Sequence, residues 1–280
     1  MNVGIVGLGL IGGSLAKAYK KTGEHTVLGV DKEKTVTDFA KMAGAIDGEL
    51  DEEHFGNCDV IFLAIRPGEV IKYLKRHCER FPKDALVIDC AGTKRQVCKE
   101  GFAIGREYGF TFVGGHPMAG KQYSGFKYAR ESLFKDASMI IVPPDHNNLD
   151  LIGRIKEIMK PAGFGKIKVT SAETHDKIIA FTSQLAHVVS NAFIKSPTAT
   201  EHRGFSAGSY NDMTRVAFLD EEMWTELFMG NKDNLVCEIQ GLIEQLEKYK
   251  EALKGNDEEV LKALLREGKA AKLEVDGRCR

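Results

Sequence analysis

The chain has 280 residues, 43% of them hydrophobic, with 39 Lys and Arg against 40 Asp and Glu and a formal net charge of -1. So much apolar content with so little net charge excludes a disordered chain, and the lack of a basic excess argues against a nucleic-acid partner. No apolar run approaches the ~18 residues of a membrane span and no leader precedes the first strand, so a cytoplasmic protein of about two domains is expected, with no membrane contact.

In chain order, Asn2–Val6, Thr26–Val30, Val60–Ile65, Leu86–Asp89, Thr111–Val113 and Met139–Val142 are short Val-, Ile- and Phe-rich runs bounded by Gly, Asp or Pro. They read as buried strands. Segments such as Gly13–Lys21 and Val70–Arg80 between them read as helices. This alternation predicts right-handed βαβ units and a mainly parallel, doubly wound Rossmann-type sheet. Past Pro143-Pro144 one more helix, Leu149–Met159, and one more strand, Lys166–Val169, are expected. From Thr170 onward the strand signals cease. Thr170 and Glu173 form a capping box opening an apolar segment through Ile194, and further helices are read at Asp233–Lys254 and Glu258–Lys272. The domain division is therefore 1–169, dinucleotide-binding, and 170–280, all-helical. In Asp233–Lys254 the apolar residues Leu235, Ile239, Leu242, Leu246, Tyr249 and Leu253 recur every three or four positions. They could be a core stripe, a dimer seam, or both.

Six cysteines occur, none in a C-x-x-C pair, so no metal site and no disulfide framework is expected. Gly7-Leu8-Gly9-Leu10-Ile11-Gly12 is a G-x-G-x-x-G between a strand and a helix, the context that makes this pattern specific. Gly7 permits the tight turn, Gly9 lets a pyrophosphate approach, Gly12 allows helix to pack on strand, and the helix start attracts the anion. Asp31 ends the second strand, where a carboxylate accepts from the ribose hydroxyls and repels a 2′-phosphate, so NAD is favoured over NADP. At the carboxyl edge of the sheet lie Ala64-Ile65-Arg66-Pro67, Asp89-Cys90-Ala91-Gly92-Thr93 and Gly114-Gly115-His116-Pro117.

His116 follows a predicted strand behind two glycines that would let a ligand approach closely. It is either a proton acceptor or a structural loop histidine. Ser183 and Gln184 precede His187 by four and three residues and would share its helix face. His175 opens that helix, and a lone helical histidine is usually an ordinary packed or surface residue. Arg215, in Asn211-Asp-Met-Thr-Arg-Val-Ala217 with Trp224 nearby, suits carboxylate capture, or an ion pair with Asp212 or Asp220.

Taken together, GLGLIGGS, DCAGTK from Asp89, GGHPMAG from Gly114, the His175-Asp176 pair, the Ser183–His187 face and NDMTRVA from Asn211 resemble the prephenate dehydrogenase family, over essentially the whole chain. The resemblance implies NAD-dependent oxidative decarboxylation of prephenate, and a homodimer through the C-terminal helices. It implies that His116 is the catalytic histidine on the substrate 4-hydroxyl and that Thr93 orients it and the nicotinamide. Arg215 would bind the substrate carboxylate, His187 would contact the side chain, and His175 and Trp224 would support the pocket. Ser183, Gln184, Lys121 and Gln122 are expected to line it. Gln184 gives S-Q-L-A-H where S-H-L-P-H is common, and Lys121-Gln122 stand where some members carry Thr-Glu; both bear on prephenate against arogenate. No acidic partner for an arogenate ammonium is identifiable, which favours prephenate. Rival readings are a β-hydroxyacid-type dehydrogenase, whose G-x-x-x-K-x-x-N segment is not found, and a non-catalytic NAD-sensing regulator. The short ends leave no expected room for an appended regulatory or mutase domain.

Overall fold

The computed structural model describes residues 1–120 and 123–277. The predicted substrate-lining Lys121 and Gln122 lie outside the described residues. The chain divides into two compact units, Met1–Asn231 and Lys232–Arg280.

In the first unit the described strands are β1 (Asn2–Val6), β2 (Thr26–Val30), β3 (Gly48–Glu49), β4 (Val60–Leu63), β5 (Leu86–Asp89), β6 (Thr111–Pro117), β7 (Ser138–Val142) and β8 (Lys166–Val169). They form one sheet in the order β3-β2-β1-β4-β5-β6-β7-β8. Every pairing is parallel except β6 with β7. The helices are α1 (Leu10–Thr22), α2 (Lys34–Met42), α3 (Pro67–His77), α4 (Arg95–Tyr108) and α5 (Leu149–Met159). One apolar core gathers Leu15, Tyr19, Phe62, Ile88 and Ile155; the other gathers Ile61, Leu63, Leu74, Val87 and Phe112. A sheet apolar on both faces needs both layers, which is why β4 and β5 are buried throughout.

One strand boundary is corrected. β6 does not stop at Val113. Antiparallel pairing with β7 carries it to Pro117, so His116 sits within the strand opposite Ile140. Gly-Gly weakens the strand signal, and only the partner strand restores it. Helix α4 holds Gly101 and Gly105, which also weaken a helical reading. A Cβ on Gly101 would lie 2.4 Å from the Phe112 ring, so its absence lets the helix lie close to the sheet.

The same unit continues in helices. Ser171, not Thr170, caps α6 (Ala172–Ile179), its hydroxyl accepting from Thr174 N–H at 3.1 Å. A π-helical turn spans Ala180–Leu185 and leads into α7 (Ala186–Phe193). Then come α8 (Gly208–Thr214) and α9 (Glu221–Gly230). The second unit is a hairpin of α10 (Lys232–Lys254) and α11 (Glu258–Val275), with the Tyr249 hydroxyl donating to the Leu264 carbonyl at 3.4 Å.

Candidate active site

The glycine turn joins β1 to α1. Gly7 has φ +85°, a left-handed conformation that favours glycine, and its N–H donates to Val30 O at 2.8 Å. A Cβ on Gly12 would stand 1.8 Å from Gly7 O, so any side chain there would push the helix off the turn. In front of Gly9 the space is open, with nothing within 4 Å of where a Cβ would be. Gly9 caps α1 with no side chain, leaving the first-turn N–H groups of Leu10 and Ile11 for an anion. Asp31 is tied to this turn: one carboxylate oxygen accepts from Leu8 N–H at 2.7 Å, the other from Glu33 N–H at 3.1 Å. An acidic group held beside a helix start with an open cradle fits a dinucleotide. Ala64 and Ile65 press against Gly7; Arg66 and Pro67 open α3. Glu226 of α9 accepts from Gly68 N–H at 2.6 Å and so ties α9 to the first turn of α3. No local sequence pattern marks Glu226, because its partner is 158 residues away.

At the end of β6 the His116 Nδ1 lies 2.9 Å from His175 Nε2, and the His175 Nδ1 lies 2.7 Å from Asp176 Oδ1. Asp176 also accepts from the backbone N–H groups of Lys94 at 2.7 Å and Arg95 at 2.9 Å. One carboxylate thus caps the start of α4 and orients His175. Burial, with the charges of His175 and Lys94, holds the His116 imidazole well below its usual pKa. Burial likewise lowers His175, and the Asp176 carboxylate opposes that shift. Both rings are therefore neutral near pH 7. Thr93 is buried in the β5–α4 loop immediately before Lys94, and α9 comes close to it at Gly230, where a Cβ would lie 3.6 Å from the Thr93 hydroxyl.

A second group forms where the π turn meets α7. His187 Nδ1 lies 2.8 Å from the Ser183 carbonyl, and its ring lies 4.0 Å from that of Trp224. Burial chiefly, and then the neighbouring Arg215 charge, lower the His187 pKa; the Ser183 carbonyl acts against them. Arg215 ends α8 and is exposed, and among the described residues it makes no ion pair with Asp212 or Asp220. Asp220 instead caps α9 through Met223 N–H at 2.8 Å.

Gln184 departs from its expected place on the His187 face. It is buried, accepting from Asn231 Nδ2 at 2.8 Å and donating to Leu227 O at 3.1 Å. The wider π turn breaks the three-and-four spacing on which that expectation rested. Asn231 Nδ2 also lies 2.8 Å from the Asp176 carbonyl, so Gln184 braces the helix rather than facing a ligand.

Two family models cover nearly the whole chain: "Prephenate dehydrogenase, nucleotide-binding domain" over residues 15–168 and "Prephenate dehydrogenase, dimerization domain" over residues 171–267. The chain belongs to the prephenate dehydrogenase family. Among that family's members, the prephenate dehydrogenase of Lactococcus lactis is 29% identical over 273 residues, 95% of this chain and 75% of that protein. The cyclohexadienyl dehydrogenase of Zymomonas mobilis is 28% identical, over 97% of this chain and 95% of that protein. Among solved structures, the prephenate dehydrogenase of Aquifex aeolicus in complex with hydroxyphenyl propionate and NAD+ superposes with a TM-score of 0.83 at 27% identity, covering 98% of each chain. Membership of the prephenate dehydrogenase family makes this chain an NAD-dependent oxidoreductase and sets aside the hydroxyacid-dehydrogenase and non-catalytic readings.

Proposed function

We propose that this chain oxidises prephenate with NAD, releasing carbon dioxide and 4-hydroxyphenylpyruvate. The observation that carries the reading is the hydrogen-bonded chain from buried Asp176 and His175 to half-buried His116 at the carboxyl edge of the sheet. Asp176 is an acceptor, so neutral His175 carries its proton on Nδ1 and offers a lone pair at Nε2. His116 must then donate from Nδ1 to that lone pair, which leaves its own Nε2 lone pair free. The imidazole is thereby held in the tautomer that accepts a proton. Its depressed pKa keeps the lone pair unprotonated at neutral pH.

When bound, the nicotinamide supplies the hydride acceptor. His116 takes the proton of the substrate 4-hydroxyl as carbonyl character develops there, and aromatisation drives the loss of the ring carboxylate. Thr93 is assigned to orient His116 and the reacting ring. Arg215 offers two parallel N–H donors to a substrate carboxylate. His187, with Nδ1–H on the Ser183 carbonyl, has Nε2 free to accept from the substrate; the Trp224 ring packs against it at a tilt of 33°. Gly7, Gly9, Gly12 and Asp31 would hold the dinucleotide, with Ala64, Ile65, Arg66 and Pro67 along its edge.

Arogenate is the second reading, favoured by the Zymomonas relative's being a cyclohexadienyl dehydrogenase. Formation of NADH at 340 nm with prephenate and with arogenate, side by side, tests both. No NADH from either would remove the reading.

The domain division at 169/170 belongs to the same proposal, supported by family models that meet between residues 168 and 171. So does a homodimer through the C-terminal helices. Its support is the family's dimerization domain and the apolar surface of α10, where Val236, Leu246 and Leu253 are exposed. A cytoplasmic location completes the reading; no described helix is long and apolar enough to cross a membrane.

A further inference from the structure

Beneath His116 lies an ion pair that the proposed chemistry does not use. Asp89, the last residue of β5, and Lys94, five positions later at the end of the DCAGTK run, are both fully buried and in direct contact. Asp89 also accepts from Ala91 N–H at 2.8 Å and, through its other oxygen, from Gly115 N–H at 3.1 Å. Gly115 is the residue before His116. Lys94 in turn gives its backbone N–H to Asp176, the anchor of His175. The pair thus touches the active histidine's strand on one side and Asp176, which holds His175, on the other.

The two glycines before His116 fit this pair rather than a ligand. A Cβ on Gly114 would meet Cys98 Sγ at 2.5 Å and the Lys94 stem at 3.2 Å; one on Gly115 would meet Asp89 O at 2.3 Å and Met139 at 2.8 Å. The expectation that they open space for a ligand is corrected: both face packed interior. Burying two charges is costly, and apolar side chains of similar volume often stabilise a fold as well or better. A buried pair is seldom needed for stability as such, and this one is joined to His116 through Gly115 and to His175 through Asp176, which points to the site.

We propose that the buried Asp89–Lys94 pair is a positioning element for His116, holding the end of β6 in place and setting a fixed positive charge beside the imidazole. The charged and titratable groups facing His116 are His175 and Asp176 from α6, Lys94 from the start of α4 and Asp89 from β5. Among these, Lys94 lowers the His116 pKa directly, and Asp89 acts on His175. Removing the pair should raise the His116 pKa and loosen the ring.

This inference rests on His116 as the proton acceptor. The test is therefore run against wild-type enzyme with prephenate and NAD; if wild type itself makes no NADH, the functional reading fails rather than this one. Two neutral replacements are compared, Asp89→Asn with Lys94→Gln, and Asp89→Leu with Lys94→Met. The expected result is retained NAD binding, KM for prephenate within about threefold, kcat lower by roughly 10- to 100-fold, and the acid limb of kcat/KM moved to higher pH. An acid limb and kcat unchanged in either folded variant would overturn the proposal. Loss of NAD binding and of cooperative melting in both would also overturn it, assigning the pair to stability alone.

Discussion

His116 and His175 share one hydrogen bond, 2.9 Å from Nδ1 to Nε2, across 59 residues of sequence. That bond decides which nitrogen of His116 is left to react. Replacing His116 by Asn keeps a donor near the Nδ1 position but removes the proton acceptor. We expect kcat to fall by about 10²–10⁴, the usual range for a general base. Steady-state NADH formation checks it, and a kcat within twofold of wild type would take the residue out of the chemistry.

The pH dependence follows from the same environment. The active form is the neutral imidazole, and burial with the nearby positive charges lowers its pKa well below 6.5. Activity should therefore persist below the ordinary histidine range and disappear only as the pH falls through the depressed value. A kcat/KM profile whose acid limb sits at or above 6.5 contradicts this.

Asp176 fixes the proton of His175, and so, one bond further, that of His116. Asp176→Asn can present its NH2 group to His175 Nδ1 and reverse both tautomers. A loss in kcat of roughly 10- to 100-fold with little change in NAD affinity is expected. Ring nitrogen chemical shifts of His116 read the tautomer directly; an unaltered pattern would show that Asp176 does not set it.

Arg215 is exposed and near enough to His187 to lower its pKa. Arg215→Ala should raise KM for prephenate by about 10- to 100-fold, the worth of a hydrogen bond to a charged group, with a smaller effect on kcat. A KM equal to wild type would break the carboxylate assignment.

Asp31 holds Leu8 N–H with one oxygen and Glu33 N–H with the other, and each oxygen keeps acceptor capacity for a ribose hydroxyl. Asp31→Ser together with Lys32→Arg should move preference from NAD towards NADP. If the ratio of the two kcat/KM values does not move, Asp31 does not reach the ribose.

Much of the fold could be read without coordinates. β1, β2, β5, β8 and α5 have the bounds expected from their apolar patterns, and in β1 and β5, buried on both faces, the signal is carried by the strand's own residues. The glycine turn was equally legible: strand, turn and helix are local, and so is the reason for Gly7 and Gly12. The motifs carried the family, and with it the names of His116, Thr93, His175, His187 and Arg215.

What folding decided lies in long-range contact. That His116 belongs to a strand follows from β7, 24 residues along at Ile140. That Gly114 and Gly115 face Cys98, Lys94 and Asp89 instead of a ligand depends on three elements meeting. Gln184 left its expected face because a π turn, satisfied by Asn231 and Leu227, replaced α-helical spacing. The chain Asp176–His175–His116 is the clearest case. Sequence shows two adjacent residues and a distant third, but proton positions depend on hydrogen-bond geometry, and geometry between segments exists only once the sheet and helix have packed.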